Sequence, residues 1–367
     1  VSDLTMTLPD VDELLVDSAV RLFTDTCSFD AVQAAEDTGW APEIWQAVAD
    51  AGFAWIGLPD TSGGSGGTVA DACEVLRIAG AFAAPIPLAE TAMLGGWLLT
   101  EAGIALPDGA VTVAPGMAED AVTITAAGDG SCTVSGTVHR VPWAADADRI
   151  ALLVADEGST ATVVAVDPSS AGVTIEAATN LAGEPRPRVA FDGVSVAADQ
   201  TGDVATATGD ELRLRGALTR TVLSAGALEA MSRLTVDYTE QRQQFGRPVG
   251  RFQAVQQHLV WGAQDAAITK MAAQVAARTA TTDGVKGARF QIAAARSIAD
   301  GCAATATRWA HQAHGAMGMT QEYALHHLSR RLWAWRHEWT SPGEWSVAVG
   351  RLAEQAGADG LYPLITS

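Results

Sequence analysis

Positive charge is scarce in this chain: Lys and Arg total 23 against 43 Asp and Glu, a formal net charge of −20 over 367 residues. Such a surface repels a polyanion over most of its area, which excludes nucleic acid as a general partner. A phosphorylated ligand then needs a local basic cluster, and the segments 242–251 and 330–336 are where arginines gather. Cysteine is also sparse. Cys27, Cys73, Cys132 and Cys302 stand far apart with no C-x-x-C, so neither a disulfide framework nor a zinc knuckle is expected, and a reducing cytoplasm is. No run approaches ~18 uninterrupted apolar residues, and the opening VSDLTMTLPDVDELL lacks the basic-then-apolar order of a leader. These absences point to a soluble protein with no membrane partner.

Hydrophobic residues at 48% and charged residues at 18% provide a large core, and the length allows two or three domains. From Val11 to about Leu106 apolar positions recur at three and four residues, the helical period. From about Ala110 to Asp199 the period becomes two: short β-rich runs at 111–113, 121–125, 133–138, 149–155, 162–166, 173–177 and 188–191 are separated by Gly, Asp, Asn and Pro. Long Ala-rich helical segments at 212–240, 251–282 and 285–313 follow and imply a bundle. The expected class is therefore α+β: a helical domain over 1–109, a β domain over 110–205, and a helical bundle over 206–367.

Within the first domain, Gly63-Gly64-Ser65-Gly66-Gly67 matches the nucleophile elbow G-x-S-x-G in form. That motif needs a strand before the serine and a helix directly after it. Leu58-Pro59-Asp60-Thr61 is a poor strand exit, and five small residues in a row read as a turn.

Two later stretches carry more chemistry. In QRQQFGRPVGRFQAVQQ, Arg242 precedes Phe245, Gly246 and Pro248, which close a helix, and its guanidinium is suited to fork onto a pyrophosphate. In RWAHQAHGAMGMTQEY, Gln312 is followed by Gly315 and Gly318, as at a helix end where backbone approaches something closely. His311 and His314 have the i, i+3 spacing of a metal pair, but no third ligand stands with them and no metal is expected. His326 and His327, with Arg330, Arg331 and Arg336, read as a solvated or interface face. Trp333, Trp335, Trp339 and Trp345 read as packing anchors.

Both stretches resemble the C-terminal helical domain of the acyl-CoA dehydrogenases, whose flavin site has the pattern R-x-x-F-G, a downstream Gln, and Q-x-x-G-x-x-G before Glu-Tyr. Here those positions are Arg242, Phe245, Gly246, Gln253, Gln312, Gly315, Gly318, Glu322 and Tyr323. The resemblance implies that Arg242, Phe245, Gln253, Gln312, Gly315 and Gly318 bind FAD, reaching across a subunit interface to the cofactor of a neighbouring chain. It extends to the turn AGFAWIGLPDTSGGSGG and to the strand AADADRIALLVA of a middle β-barrel-like domain. It fails at the loop T-E-P-x-x-G-S-D that hydrogen-bonds flavin in relatives, where this chain has Ala114-Pro115-Gly116 and then Glu119-Asp120.

The base is missing as well. In acyl-thioester desaturation a carboxylate removes the Cα proton, and burial raises its pKa towards that task. Most relatives carry it before Gly-Thr in a C-terminal loop, where this chain has Pro342. A minority carry it on the first long helix before a supporting arginine, where this chain has Thr219 and Arg220. Glu344 lies two residues from the loop position, a displacement of roughly 6 Å in extended chain. Half a flavin site with no base resembles the subunit without a catalytic Glu of the actinobacterial heterotetrameric dehydrogenases that act on steroid side-chain CoA thioesters. By that resemblance the partners are a homologous subunit in an α2β2 assembly, an acyl-CoA, and an electron-transfer flavoprotein as electron acceptor. Two alternatives stay open: a homotetrameric dehydrogenase with a relocated base such as Glu344, and a non-catalytic acyl-CoA-binding paralogue.

Overall fold

The computed structural model describes residues 11–155 and 158–366, so most of the segment read for a leader lies outside the described residues. Five helices open the chain: α1 (Glu13–Thr26), α2 (Phe29–Thr38), α3 (Pro42–Asp50), α4 (Val69–Ala81) and α5 (Gly96–Glu101), the last entered through a π-helical turn at Glu90–Gly95. Their starts are written locally. The Asp12 carboxylate accepts the Leu14 N–H at 2.9 Å ahead of α1, and Pro42 sits in the first turn of α3, where no N–H is needed. Thr68 and Asp71 cap α4 reciprocally: the Thr68 N–H donates to Asp71 Oδ2 at 2.7 Å and the Asp71 N–H to Thr68 Oγ1 at 3.1 Å.

Eight strands follow: β1 (Val111–Val113), β2 (Ala121–Ala126), β3 (Cys132–Val138), β4 (Arg149–Ala155), β5 (Thr160–Val166), β6 (Val173–Glu176), β7 (Arg188–Val196) and β8 (Thr201–Ala205). They form two four-stranded sheets in the orders β1-β4-β5-β8 and β2-β3-β7-β6, not a closed barrel. All neighbours are antiparallel except β1 with β4. Val134, Val138, Ile150, Val164, Val189 and Phe191 meet in a shared core, and in β4 and β5 the intervening Ala151, Val163 and Ala165 are buried as well, so both faces of those two strands are covered. β8 escaped the sequence reading because TGDVA carries little apolar signal beyond Val204.

The helical periodicity then resumes as α6 (Thr208–Gln241), the two-residue strands β9 (Gln243–Gln244) and β10 (Arg247–Pro248), α7 (Gln253–Thr282), α8 (Gly284–Gly287), α9 (Arg289–His314), α10 (Leu325–Trp335) and α11 (Pro342–Thr366). Gly357, at φ 66°, interrupts α11. Among the described residues no helix is long and apolar enough to cross a membrane.

The chain divides into two compact units, one of 1–33, 73–84 and 217–367, the other of 34–72 and 85–216. In the first, α4 and α6 cross at glycines. A Cβ on Gly226 would lie 1.7 Å from the Arg77 carbonyl oxygen, and one on Gly80 would lie 2.3 Å from that of Leu223. Arg77, buried beside this crossing, donates to Glu74 at 3.0 Å and to Glu229 at 2.5 Å, and Lys270 of α7 donates to Glu229 at 2.7 Å. A buried arginine with two carboxylates is satisfied in both charge and hydrogen bonding. In the second unit the glycine-rich turn is a loop: Leu58 bridges to Gly66, Gly63, Gly66 and Gly67 have positive φ, and the helix starts only at Val69. This is not the strand-serine-helix order of a nucleophile elbow.

Candidate flavin and acyl site

α6 ends at Gln241 and the chain turns at once into a hairpin, with the Val249 N–H donating to the Arg242 carbonyl at 2.8 Å. Phe245 and Gly246 are its two turn residues, at φ 53° and 78°, the left-handed pair a tight hairpin requires. Phe245 is thereby held 92% exposed, and its ring meets that of Phe252 edge-on at 6.1 Å. A large aromatic side chain in a left-handed turn is costly in backbone strain, and its exposure gives back little burial to offset that cost.

At the other stretch α9 closes on Gly315, whose N–H donates to the His311 carbonyl, at φ 60° with open space around its Cβ direction. Gly318 is buried: a Cβ there would lie 3.0 Å from His314 Cβ and 3.3 Å from Leu325 Cδ2. The two stretches meet through rings. Tyr238, one turn before Arg242, stacks on His314 at 4.4 Å, and Tyr323 closes the cluster at 5.5 Å from Tyr238 and 5.2 Å from His314. α7 and α9 run antiparallel, with His258 stacked on Trp309 at 5.2 Å and Thr305 donating to Asp265 at 2.6 Å. This order brings Gln253, at the start of α7, to the end of α9 that carries Gln312, Gly315 and Gly318. Arg242, Phe245, Gln253, Gln312 and Gly315 are all exposed at this end of the helical unit.

His314 Nδ1 lies 2.8 Å from the Ala310 carbonyl oxygen, and burial pulls both His314 and His311 below the ordinary imidazole range. Burial, reinforced by Asp237, pushes Tyr323 up. The second basic segment is partly buried. His326, His327 and Arg331 are buried rather than solvated, because α10 packs inward: Phe29 lies against both imidazoles, at 6.5 and 5.3 Å, and Arg331 donates to the His327 carbonyl at 3.2 Å. Arg336 lies over Trp333 at 4.6 Å. Of the four tryptophans read as anchors, Trp335, Trp339 and Trp345 are buried and Trp333 is 40% exposed.

The base positions contain no free carboxylate. Thr219 is buried, and Pro342 is the first residue of α11. Glu344 is exposed in the first turn of α11, where its Oε1 accepts from Ser341 Oγ at 2.8 Å and its N–H donates to the Ser341 carbonyl at 3.1 Å. A carboxylate that sequence reasoning missed stands on Arg220: Glu338 Oε2 accepts from Arg220 Nε at 2.5 Å, with the arginine 2% and the glutamate 17% exposed. Nothing in the sequence pairs residues 118 apart. Arg296, fully buried, donates to the Trp335 and Glu338 carbonyls at 2.6 and 3.2 Å, and Trp345 Nε1 donates to the Trp339 carbonyl at 3.1 Å. Between these anchors Trp339 and Thr340 hold φ of 57° and 97°. Such strain persists only where surroundings over-determine it, and the two buried arginines of α6 and α9 do so here. Asp300, 3.4 Å from Arg296, is pushed up to about 6 by its burial, with Arg296 acting the other way.

In the β unit, the loop that replaces the flavin-binding T-E-P-x-x-G-S-D is pinned by Asp120, whose carboxylate accepts the Met117 and His139 N–H groups, each at 2.8 Å, and lies 3.0 Å from His139 Nδ1. It offers main-chain groups but no hydroxyl.

An exposed arginine, two exposed amides, an open glycine and a displayed aromatic ring on one end of a helical bundle fit one side of a dinucleotide. Residues 214–336 match the family model described as acyl-CoA dehydrogenase, C-terminal domain. The acyl-CoA dehydrogenase FadE28 of Mycobacterium tuberculosis is 30% identical over 310 residues, covering 77% of this chain and 84% of that protein. The fold is shared with the ChsE4-ChsE5 complex from Mycobacterium tuberculosis, at TM-score 0.84 and 23% identity over 94% of this chain and 97% of the other. It is shared equally with a variant of the Tcur3481-Tcur3483 steroid ACAD, at TM-score 0.82 and 22% identity over 94% and 98%. The chain belongs to the acyl-CoA dehydrogenase family.

Proposed function

We propose that this chain is one subunit of an FAD-dependent acyl-CoA dehydrogenase that desaturates an acyl-CoA thioester between Cα and Cβ. It supplies half of an interfacial flavin site, and a homologous partner chain supplies the other half together with the base. The observation that carries this is the asymmetry of the chain itself: Arg242, Gln253 and Gln312 are presented together, whereas the carboxylates near both base positions already have partners, Glu344 the Ser341 hydroxyl and Glu338 the Arg220 guanidinium. The residues' tasks follow from their chemistry. Arg242 bonds pyrophosphate oxygens, Gln253 and Gln312 offer amide donors and acceptors to the nucleotide, Phe245 covers an apolar ring face, Gly315 allows backbone to approach, and Gly318 lets the chain after α9 pack closely on His314 and Leu325 beneath the site. FAD, when bound, provides the two-electron acceptor for hydride from Cβ.

The substrate class we infer is a steroid side-chain CoA thioester, as in sterol and cholesterol catabolism. This is supported by the likeness to the Tcur3481-Tcur3483 steroid ACAD, and the two-chain assembly by that to the ChsE4-ChsE5 complex. An α2β2 heterotetramer passing electrons to an electron-transfer flavoprotein in the cytoplasm completes the proposal, and four free cysteines suit that compartment. The test is reconstitution with the homologous partner: desaturation of a steroid side-chain CoA ester by the mixture and by neither chain alone supports it, and full turnover by this chain alone overturns it. A second reading is a chain with its own base, for which the candidate is Glu338, the carboxylate that meets the supporting Arg220. Glu338→Gln separates the two, since loss of a general base lowers rate by about 10² to 10⁴.

A further inference from the structure

α9 exposes Arg308 and Gln312, four residues apart and therefore on one face of the helix, with Arg308 one turn before the amide assigned to the flavin. The Arg308 guanidinium lies 4.9 Å over the Trp309 ring. Trp309 in turn is set by α7: Trp261 packs on it at 4.4 Å and His258 stacks on it at 5.2 Å with ring planes 16° apart. In a chain with 43 carboxylates, neither Arg308 nor Arg242 is paired with one among the described residues. A guanidinium stacked on an indole keeps its N–H groups in the plane available, and the stack restricts the side chain before any ligand arrives. The chemistry asks for a second cation as well: a dinucleotide pyrophosphate carries two negative charges, and Arg242 supplies one positive charge.

We propose that Arg308, placed over the Trp309 ring, is a second phosphate-binding cation of the flavin site, so that the α9 face carrying Gln312 recognises an anionic adenine dinucleotide. This rests on the flavin reading given above. The experiment titrates FAD into flavin-free protein, isolated with its partner chain, and reads affinity by flavin fluorescence quenching for Arg308→Ala, Arg308→Lys, Trp309→Leu, Arg242→Ala and, as a control, Arg188→Ala in the β unit. Arg308→Ala is expected to weaken FAD about tenfold, in the range of one charge-assisted hydrogen bond, with Arg308→Lys intermediate because a point charge replaces the planar fork. Trp309→Leu should weaken binding by less than Arg308→Ala, and Arg188→Ala should leave it unchanged. The loss for Arg308→Ala should shrink at high salt, where exposed charges are screened. If Arg242→Ala loses flavin and Arg308→Ala does not, the inference is wrong and the flavin reading stands. If neither substitution changes affinity, both are wrong. Circular dichroism of each variant separates a lost contact from a lost fold.

Discussion

Replacing Glu338 with alanine removes the carboxylate from a guanidinium that is 2% exposed and 2.5 Å away, on a loop held in two left-handed residues. Two unit charges about 4 Å apart interact by about 4 kcal/mol at an effective dielectric constant of 20, and breaking a buried pair by deleting one partner costs about 3 to 5 kcal/mol. Glu338 is 17% exposed, which places it at the lower end, about 3 kcal/mol. For a unit of this size 1 kcal/mol corresponds to about 2 to 4 °C, so the thermal midpoint should fall by about 6 to 12 °C. Glu338→Gln retains an oxygen for Arg220 Nε and should fall by less than half as much. Glu344→Ala removes only one exposed side-chain hydrogen bond, of about 1 kcal/mol. Calorimetry of the three variants therefore predicts an order, Glu338→Ala far below Glu338→Gln and Glu344→Ala. A Glu338→Ala midpoint within 2 °C of the parent, the scatter of about 0.5 kcal/mol, would refute the idea that this ion pair fixes the loop.

Arg242→Ala should lower FAD affinity roughly tenfold to a hundredfold, with only partial rescue by lysine, as measured by flavin titration. Glu344→Gln in the reconstituted complex should change turnover by less than about tenfold, in steady-state desaturation assays, because a base would contribute about 10² to 10⁴. Gly226→Ala should prevent accumulation of folded protein, since its Cβ would fall 1.7 Å from the Arg77 carbonyl, and the soluble fraction on expression reports it. Acidification should destabilise the fold through His314: its folded pKa lies below its unfolded one, so the unfolded state binds more protons as pH falls through the ordinary imidazole range, and stability present above that range is lost. Thermal midpoints between pH 7.5 and 5 should therefore fall less steeply in His314→Gln than in the parent.

Much of this arrangement is legible in the amino acids, and the limits have physical causes. Long segments such as those of α6, α7 and α9 declare themselves because runs of strong helix formers without proline extend over many turns. The motif residues Arg242 and Gln312 are visible because glycine and proline punctuate them. What stays hidden is tertiary. The hairpin at Phe245 depends on two left-handed residues, only one of them glycine. The burial of His326, His327 and Arg331 reverses the reading of a solvated face, because a helix that looks polar turns its charged residues inward where main-chain acceptors and rings receive them. Arg220 is legible as a site residue, but its partner Glu338 becomes visible only when α6 and the loop after α10 are brought together.

The central claim, a flavin site completed by a second chain, is tested most directly by the flavin content of the purified chain alone and of its 2:2 assembly with the homologous partner. The account predicts a colourless or poorly soluble lone chain and a yellow complex, because flavin bound only by the joint site stabilises that assembly by linkage. One FAD per chain in the lone protein would contradict it.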